Sequence, residues 1–150
     1  MLGTLATWLR ILGFDTFYAN SEISDSELLQ IARNESRIIV TRDKELIFRG
    51  KKKKLDVIEV RDTDLDEQLI QIFKITNIDD NNILSRCTLC NAPLQKIKKK
   101  DVIGKVPEKV FENKDVFWYC SDCNKYYWMG SHYDKIMNSI EEIKKKTRKQ

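Results

Sequence analysis

Arg37 to Leu46 reads RIIVTRDKEL: an apolar, β-branched run stops at Thr41, Arg42 and Asp43 and passes straight into residues with helical spacing. Such a run suits a buried strand, and the acid at its tip then stands on a rigid support at the strand's carboxyl end. The neighbouring segments alternate in the same way. Leu5, Trp8, Leu9 and Leu12 recur at i, i+3, i+4 and i+7, which predicts an amphipathic helix over about 3–12 ended by Gly13. FDTFYA (14–19) reads as a short strand. Ser24 and Glu27 have the spacing of a capping box, opening a helix that turns Leu28, Leu29, Ile31 and Ala32 inward. Residues 43–49 predict a short helix, LDVIEV (55–60) a strand, and 64–74 a helix with Leu65, Leu69, Ile72 and Phe73 on one side. Strands separated by helices pair in parallel through crossovers, so the order α-β-α-β-α-β-α predicts an α/β fold with a parallel sheet.

In open α/β sheets, ligands bind just beyond the carboxyl ends of the strands. Asp43 falls there, and Asp25, in the first turn of a helix after a short loop, is its best companion. Two carboxylates on one rim suit Mg²⁺ or Mn²⁺, because Mg²⁺ takes one or two protein carboxylates and fills its shell with water and phosphate oxygens. Structural accounts of both acids stand beside this one. An acid in a helix's first turn complements the macrodipole, and an aspartate directly before a helix caps it.

Of the 150 residues, 41% are hydrophobic and 33% charged, and no apolar run approaches the ~18 residues needed to span a bilayer. The opening MLGTLATWLRILGF lacks a basic start and a small-x-small cleavage site and carries Arg10 in its apolar part, so it reads as structure and not as a signal peptide. Charge is unevenly spread. Residues 1–86 carry 13 basic and 15 acidic side chains and residues 87–150 carry 14 and 8, net charges of −2 and +6. A basic half favours a polyanionic partner such as RNA, since neutralising phosphates releases counterions. Lys98, Lys99 and Lys100 are the candidate phosphate contacts; KKKK (51–54) and KKKTRK (144–149) are further runs, and any of these can equally be solvated surface.

Residues 75–86, ITNIDDNNILSR, are polar and rich in Asn and Asp, which places an α/β domain at 1–76, a linker at 77–86 and a second unit at 87–150. The second unit holds every cysteine in the chain, Cys87 and Cys90 in CTLCN and Cys120 and Cys123 in CSDCN. The repeated Asn has a physical reason: a knuckle that aims two thiolates at one metal needs left-handed backbone soon after its second Cys, and Asn tolerates it. Four thiolates in two such knuckles suit one structural, tetrahedral Zn²⁺. Disulfides are the competing account, but C-x-x-C bridges stabilise little and nothing marks secretion, so a reducing, cytoplasmic setting and zinc are expected. LQKIK, DVIGKV and VFWYC then supply the strands of a zinc ribbon, a unit of about 60 residues that needs its metal for stability.

Beyond the second knuckle, Ser131 can cap a helix with Tyr133, Ile136, Met137, Ile140 and Ile143 in an apolar stripe. Gly130, Ser131 and His132 then lie at a helix start, where free N–H groups favour phosphate. His132, the only histidine, is a phosphate contact or proton shuttle, or else a packed, hydrogen-bonded residue. Tyr126, Tyr127 and Trp128 either stack on bases or belong to a core.

Taken in order, MLGTLATWLRILGFDTFYA, SDSELLQIA, RIIVTRD, RCTLCN, VPEKVF and YCSDCNKYYWMGSHYDKIM resemble the Mut-seven C-terminal ribonuclease domain from Met1 to about Met137. The resemblance implies a PIN-like α/β fold with an attached zinc ribbon and a terminal helix, and divalent-metal-dependent hydrolysis of RNA as an endoribonuclease. It puts the acidic site on Asp25 and Asp43 and matches polar positions at Arg10, Arg42, Ser131 and His132. The family pattern opens with a short strand ending in an aspartate, ahead of the segment that starts here at Met1; the sequence as given has neither, so the sheet is expected without that first strand. Asp15 is the nearest acid to the missing position, on the wrong edge to replace it. Two alternatives follow: a catalytically inactive RNA-binding protein associated with a ribosomal particle, and a zinc-ribbon adaptor for another protein.

Overall fold

The structure, a computed structural model, describes residues 2–149; Met1 and Gln150, the ends of the expected domains, lie outside the described residues. Helix α1 (Gly3–Ile11) buries Leu5, Ala6, Leu9 and Ile11 and closes into a turn at Gly13. Glycine is required at 13 twice over, by a φ of +93° and because a Cβ would stand 2.4 Å from the carbonyl oxygen of Asn82. Helix α2 (Asp25–Glu35) opens on the capping box expected of Ser24 and Glu27, with both reciprocal hydrogen bonds formed, at 3.2 and 2.8 Å. Then follow β1 (Ile39–Thr41), α3 (Lys44–Lys52), β2 (Val57–Glu59) and α4 (Leu65–Ile75). β1 and β2 pair in parallel, Ile39 with Val57 and Thr41 with Glu59, as expected of strands joined through a helix.

The strand expected at FDTFYA is not there. Residues 14–20 belong to no ladder, and the parallel sheet of the described residues has two strands. The reason lies in partners remote in the chain: the Thr16 N–H donates to the Asn91 side chain at 2.9 Å, and Asp15 is engaged by Arg37. Both residues spend their polar groups on distant side chains, and no neighbouring strand is recruited.

Two apolar clusters hold this body. Leu29 and Ala32 of α2 meet Ile39 and Leu46 in one, and Gly50 lets α3 lie tightly on β2, since a Cβ there would come within 2.7 Å of Val57 Cγ2. The other joins Leu5 and Leu9 of α1 to Leu69, Ile70 and Ile72 of α4, and to Ile136, Ile140 and Ile143 from the terminal helix α6 (Ser131–Lys149). Ile136, Met137, Ile140 and Ile143 of the apolar stripe therefore face the cluster of α1 and α4, not the ribbon. Residues 77–86 are fastened to α1: the Leu84 N–H donates to the Ile11 carbonyl at 2.7 Å, and Ile78, Ile83 and Leu84 pack on the same cluster.

The ribbon is an antiparallel sheet in the order β3 (Gln95–Ile97), β4 (Phe117–Cys120) and β5 (Lys125–Trp128). DVIGKV is not one of its strands. Residues 99–102 form a 3₁₀ turn that drives Val102 to full burial, and Gly104, at φ +74°, turns the chain again. VPEKVF leads into a short helix, α5 (Glu108–Asn113), and the third strand is KYYW. No helix among the described residues is long and apolar enough to cross a membrane.

Candidate functional site

Each cysteine knuckle ends on an asparagine in the left-handed region, Asn91 at φ 75° and Asn124 at φ 54°, as the repeated Asn implied. In the first, the Asn91 N–H donates to the Cys87 carbonyl and the Cys87 N–H to the Ala92 carbonyl, both at 2.9 Å. The four sulfurs lie within 4.8 Å of one another, with Cys87 to Cys123 at 3.8 Å and Cys90 to Cys120 at 3.4 Å. Tetrahedral Zn–S bonds of about 2.3 Å require sulfur separations of about 3.8 Å, so the cluster fits one zinc ion held by all four residues. Among the described residues it is the only group of three or more His, Cys, Asp or Glu side chains close enough to hold a metal.

The electrostatics of the cluster agree with that use. Burial raises the pKa of the Cys87 thiol, but the Tyr127 hydroxyl at 3.1 Å and the backbone N–H groups of Cys90 and Leu89 outweigh it and bring it down to about 6. Cys123 moves the other way, pushed up to about 12 by hydrogen bonding with Cys90, by burial and by its contact with Cys87. One thiolate thus discourages the next, and a dication bound to all four removes that repulsion.

The first knuckle is also the ribbon's attachment. Arg10 of α1 donates from Nε to the Thr16 carbonyl at 3.1 Å and from Nη1 to the Thr88 and Leu89 carbonyls at 3.1 and 3.2 Å. The Asn91 side chain accepts from the Thr16 N–H and donates to Asp15 Oδ1 at 2.7 Å, while Arg86 donates to the Asn91 carbonyl at 2.9 Å. Arg37, paired also with Glu35, holds Asp15 from the far side at 3.1 Å. The Asn91 amide and the Arg37 guanidinium keep the Asp15 carboxyl below the usual carboxylate range. Its pKa is depressed on folding, so the clamp's contribution is present above the unfolded value of about 3.9 and is lost as pH falls through the folded one. Arg10, matched to the family's polar pattern, is thus engaged in joining α1 to the knuckle. No motif in the sequence points to this network, because Asp15 and Asn91 are distant in the chain.

Asn91 serves through its backbone and its side chain, and two substitutions separate them. Asn91→Gly keeps the left-handed turn and removes the side-chain bonds; Asn91→Ala loses both. Chemical denaturation should show the glycine variant destabilised by about 1–2 kcal/mol, two hydrogen bonds' worth, and the alanine variant by roughly a further 1–2 kcal/mol for the left-handed backbone.

The acids take these positions. Asp43 is exposed at the carboxyl end of β1 and is the N-cap of α3: its Oδ1 accepts from the Leu46 N–H at 3.0 Å, and its own N–H donates to Thr41 Oγ1 at 3.1 Å. With Arg42 it lines a cavity of about 590 Å³ whose other walls are largely apolar, Leu5, Leu9, Phe14, Ile39 and Val40 among them. Asp25, exposed in the first turn of α2, is not among the lining residues; its Oδ2 lies 3.7 Å from Arg49 Nη1 of α3. Ser131 and His132 are exposed on the first turn of α6, so the packed alternative for His132 does not hold, and Gly130, not Ser131, precedes the helix. Lys98 and Lys100 are exposed, whereas Lys99 pairs with Asp115 at 3.3 Å and lies over the Phe111 ring. Tyr126, Tyr127 and Trp128 are half-buried on β5, with Tyr126 against Tyr119 at 4.9 Å between ring centroids.

A parallel α/β body with an acid capping a helix at a strand's end, joined to a four-cysteine ribbon, defines an α/β domain with an attached zinc-ribbon module. The family model of the Mut7-C RNAse domain matches residues 1–140, and the chain belongs to that family. Searches of the curated proteins and of the solved structures gave no match.

Proposed function

We propose that the protein is an RNA-directed endoribonuclease dependent on Mg²⁺ or Mn²⁺, with one structural zinc in its ribbon. Membership in an RNAse domain family supports an RNA substrate, and the observation that carries the reading further is Asp43, exposed at the end of β1 with Arg42 beside the cavity. The helix cap uses Asp43 Oδ1, and Oδ2 is the oxygen the residue can offer to a cation. Asp25 would join it from the start of α2 by exchanging Arg49 for the ion. When bound, such an ion polarises the scissile phosphate and supplies an activated water. Arg42 would neutralise a phosphate of the same strand, and the exposed Ser131 and His132, with the free N–H groups at the start of α6, would hold another.

RNA binding without cleavage, in a ribonucleoprotein particle, is the second reading. One observation favours it: the acids of the described residues nowhere gather into a group of three.

Both readings require phosphate contacts, which salt titration counts. Affinity for single-stranded RNA should fall linearly in a log–log plot against salt, at roughly −0.7 per contact. Lys98→Glu with Lys100→Glu should flatten the slope by roughly 1.4, leaving Lys99 on Asp115. Salt-independent association would point instead to a protein adaptor.

A further inference from the structure

The lysine run at 51–54 has no part in the site described above, yet it closes a helix with an unusual outer face. α3 buries Leu46, Ile47 and Gly50. On the opposite side Phe48 is 63% exposed, the most exposed aromatic among the described residues. Lys44 precedes it by four residues, and Lys51 and Lys52 follow by three and four, so all three neighbour the ring on the helix surface; each is exposed, as are Lys53 and Lys54 beyond the helix end. Arg49 is committed elsewhere, to Asp25 and to Ser26 Oγ at 2.8 Å. Glu45 is the one acid of the helix, in its first turn.

Helix electrostatics explain part of this pattern. Lysines in a last turn complement the macrodipole, which accounts for Lys51 and Lys52. They do not account for Lys44 at the first helical position, where the dipole disfavours a cation, nor for a phenylalanine held in water between it and them. Lys44 is 90% exposed at its side chain and reaches Glu59 only at 3.5 Å, a contact easily exchanged.

We propose that this face is a contact surface for single-stranded RNA, on which Phe48 stacks against an unpaired base while Lys44, Lys51 and Lys52 hold the flanking phosphates. A basic surface with an exposed ring is the chemistry that binds single strands, since every unpaired base offers a π-face and the backbone supplies regular negative charge. The inference rests on the RNA-directed reading and adds to it a direction. Asp43 caps this same helix, and five residues span about 7.5 Å along a helix axis, so one strand can lie on Phe48 and reach the acid.

The test is fluorescence anisotropy of a labelled single-stranded RNA, and separately of its duplex, with the full zinc-loaded chain. Stacking contributes about 1–3 kcal/mol per base, so Phe48→Ala should weaken single-strand binding by about 5- to 150-fold, with the salt slope unchanged and duplex binding unmoved. Phe48→Trp should restore it. Lys51→Glu with Lys52→Glu should lower the slope by roughly 1.4. Melting curves on each variant separate binding from folding, and Phe48, being exposed, should leave them unchanged. If the parent chain binds RNA and both Phe48 variants bind equally well, the surface is elsewhere and this inference is overturned while the RNA reading stands. A parent chain that binds no RNA overturns both. Loss in Phe48→Ala of binding to phosphatidylserine vesicles, with RNA affinity unchanged, would assign the face to a membrane surface and overturn the proposal.

Discussion

Cys87→Ser should leave the protein without bound zinc and unfold residues 87–128 while the α/β body stays folded. The ribbon has little else to hold it. Its fully buried side chains are Val102, Phe117 and two of the cysteines themselves, Cys87 and Cys120, whereas structural zinc contributes about 10–16 kcal/mol in small metal-dependent domains. Metal analysis should find one zinc per parent chain and none in the variant. Hydrogen exchange should show protection lost across β3, β4 and β5. α6 should keep its protection although it follows the ribbon in sequence, because Ile136, Ile140 and Ile143 lie in the core of α1 and α4. Residues 14–16 should exchange faster, since the Thr16 N–H is held by Asn91 of the first knuckle. Intact thiols with no metal in the parent protein would remove the ribbon reading.

Asp43→Asn separates the two roles of the acid at the strand tip. Asparagine caps a helix about as well as aspartate, so the Leu46 N–H keeps an acceptor and the melting temperature should hold. Asp43→Ala removes the cap as well and should cost about 0.5–2 kcal/mol. If Asp43 holds the ion, charge stabilisation of several kcal/mol is lost in both variants, and at 1.36 kcal/mol per factor of ten the cleavage rate should fall on the order of 10²- to 10³-fold or more. RNA affinity should stay level or rise, since one negative charge has gone. Equal cleavage by the parent chain and Asp43→Asn would leave the residue only its cap.

What could be read from the sequence was what the chain decides locally. The capping box at Ser24 and Glu27, and the left-handed Asn91 and Asn124, are fixed by residues a turn apart. The β-branched run before Asp43 gave β1, and the apolar stripe gave α6. Errors arose where the partner is remote. FDTFYA has the composition of a strand, but a strand needs a neighbour, and the N–H of Thr16 goes to a side chain 75 residues away. DVIGKV looks equally strand-like, yet a 3₁₀ turn at 99–102 carries Val102 into the ribbon core and Gly104 turns the chain again. KYYW reads from the sequence only as rings that stack on bases or belong to a core; its place as β5, with Tyr127 against Cys87 and Tyr126 against Tyr119, depends on partners elsewhere in the chain. At the candidate site the sequence supplied Asp43 and its strand end. It could not supply the Arg49 ion pair that occupies Asp25, or the clamp that occupies Arg10.

On the proposed function, this chain cuts RNA with a divalent cation at the end of β1. The most direct measurement is incubation of the zinc-loaded protein with end-labelled single-stranded RNA, with Mn²⁺, with Mg²⁺ and with neither, alongside Asp43→Asn. Internal cleavage that requires the added cation and disappears in Asp43→Asn, with binding retained, is the predicted result; RNA that is bound but stays intact under every condition would contradict it and leave the protein an RNA-binding one.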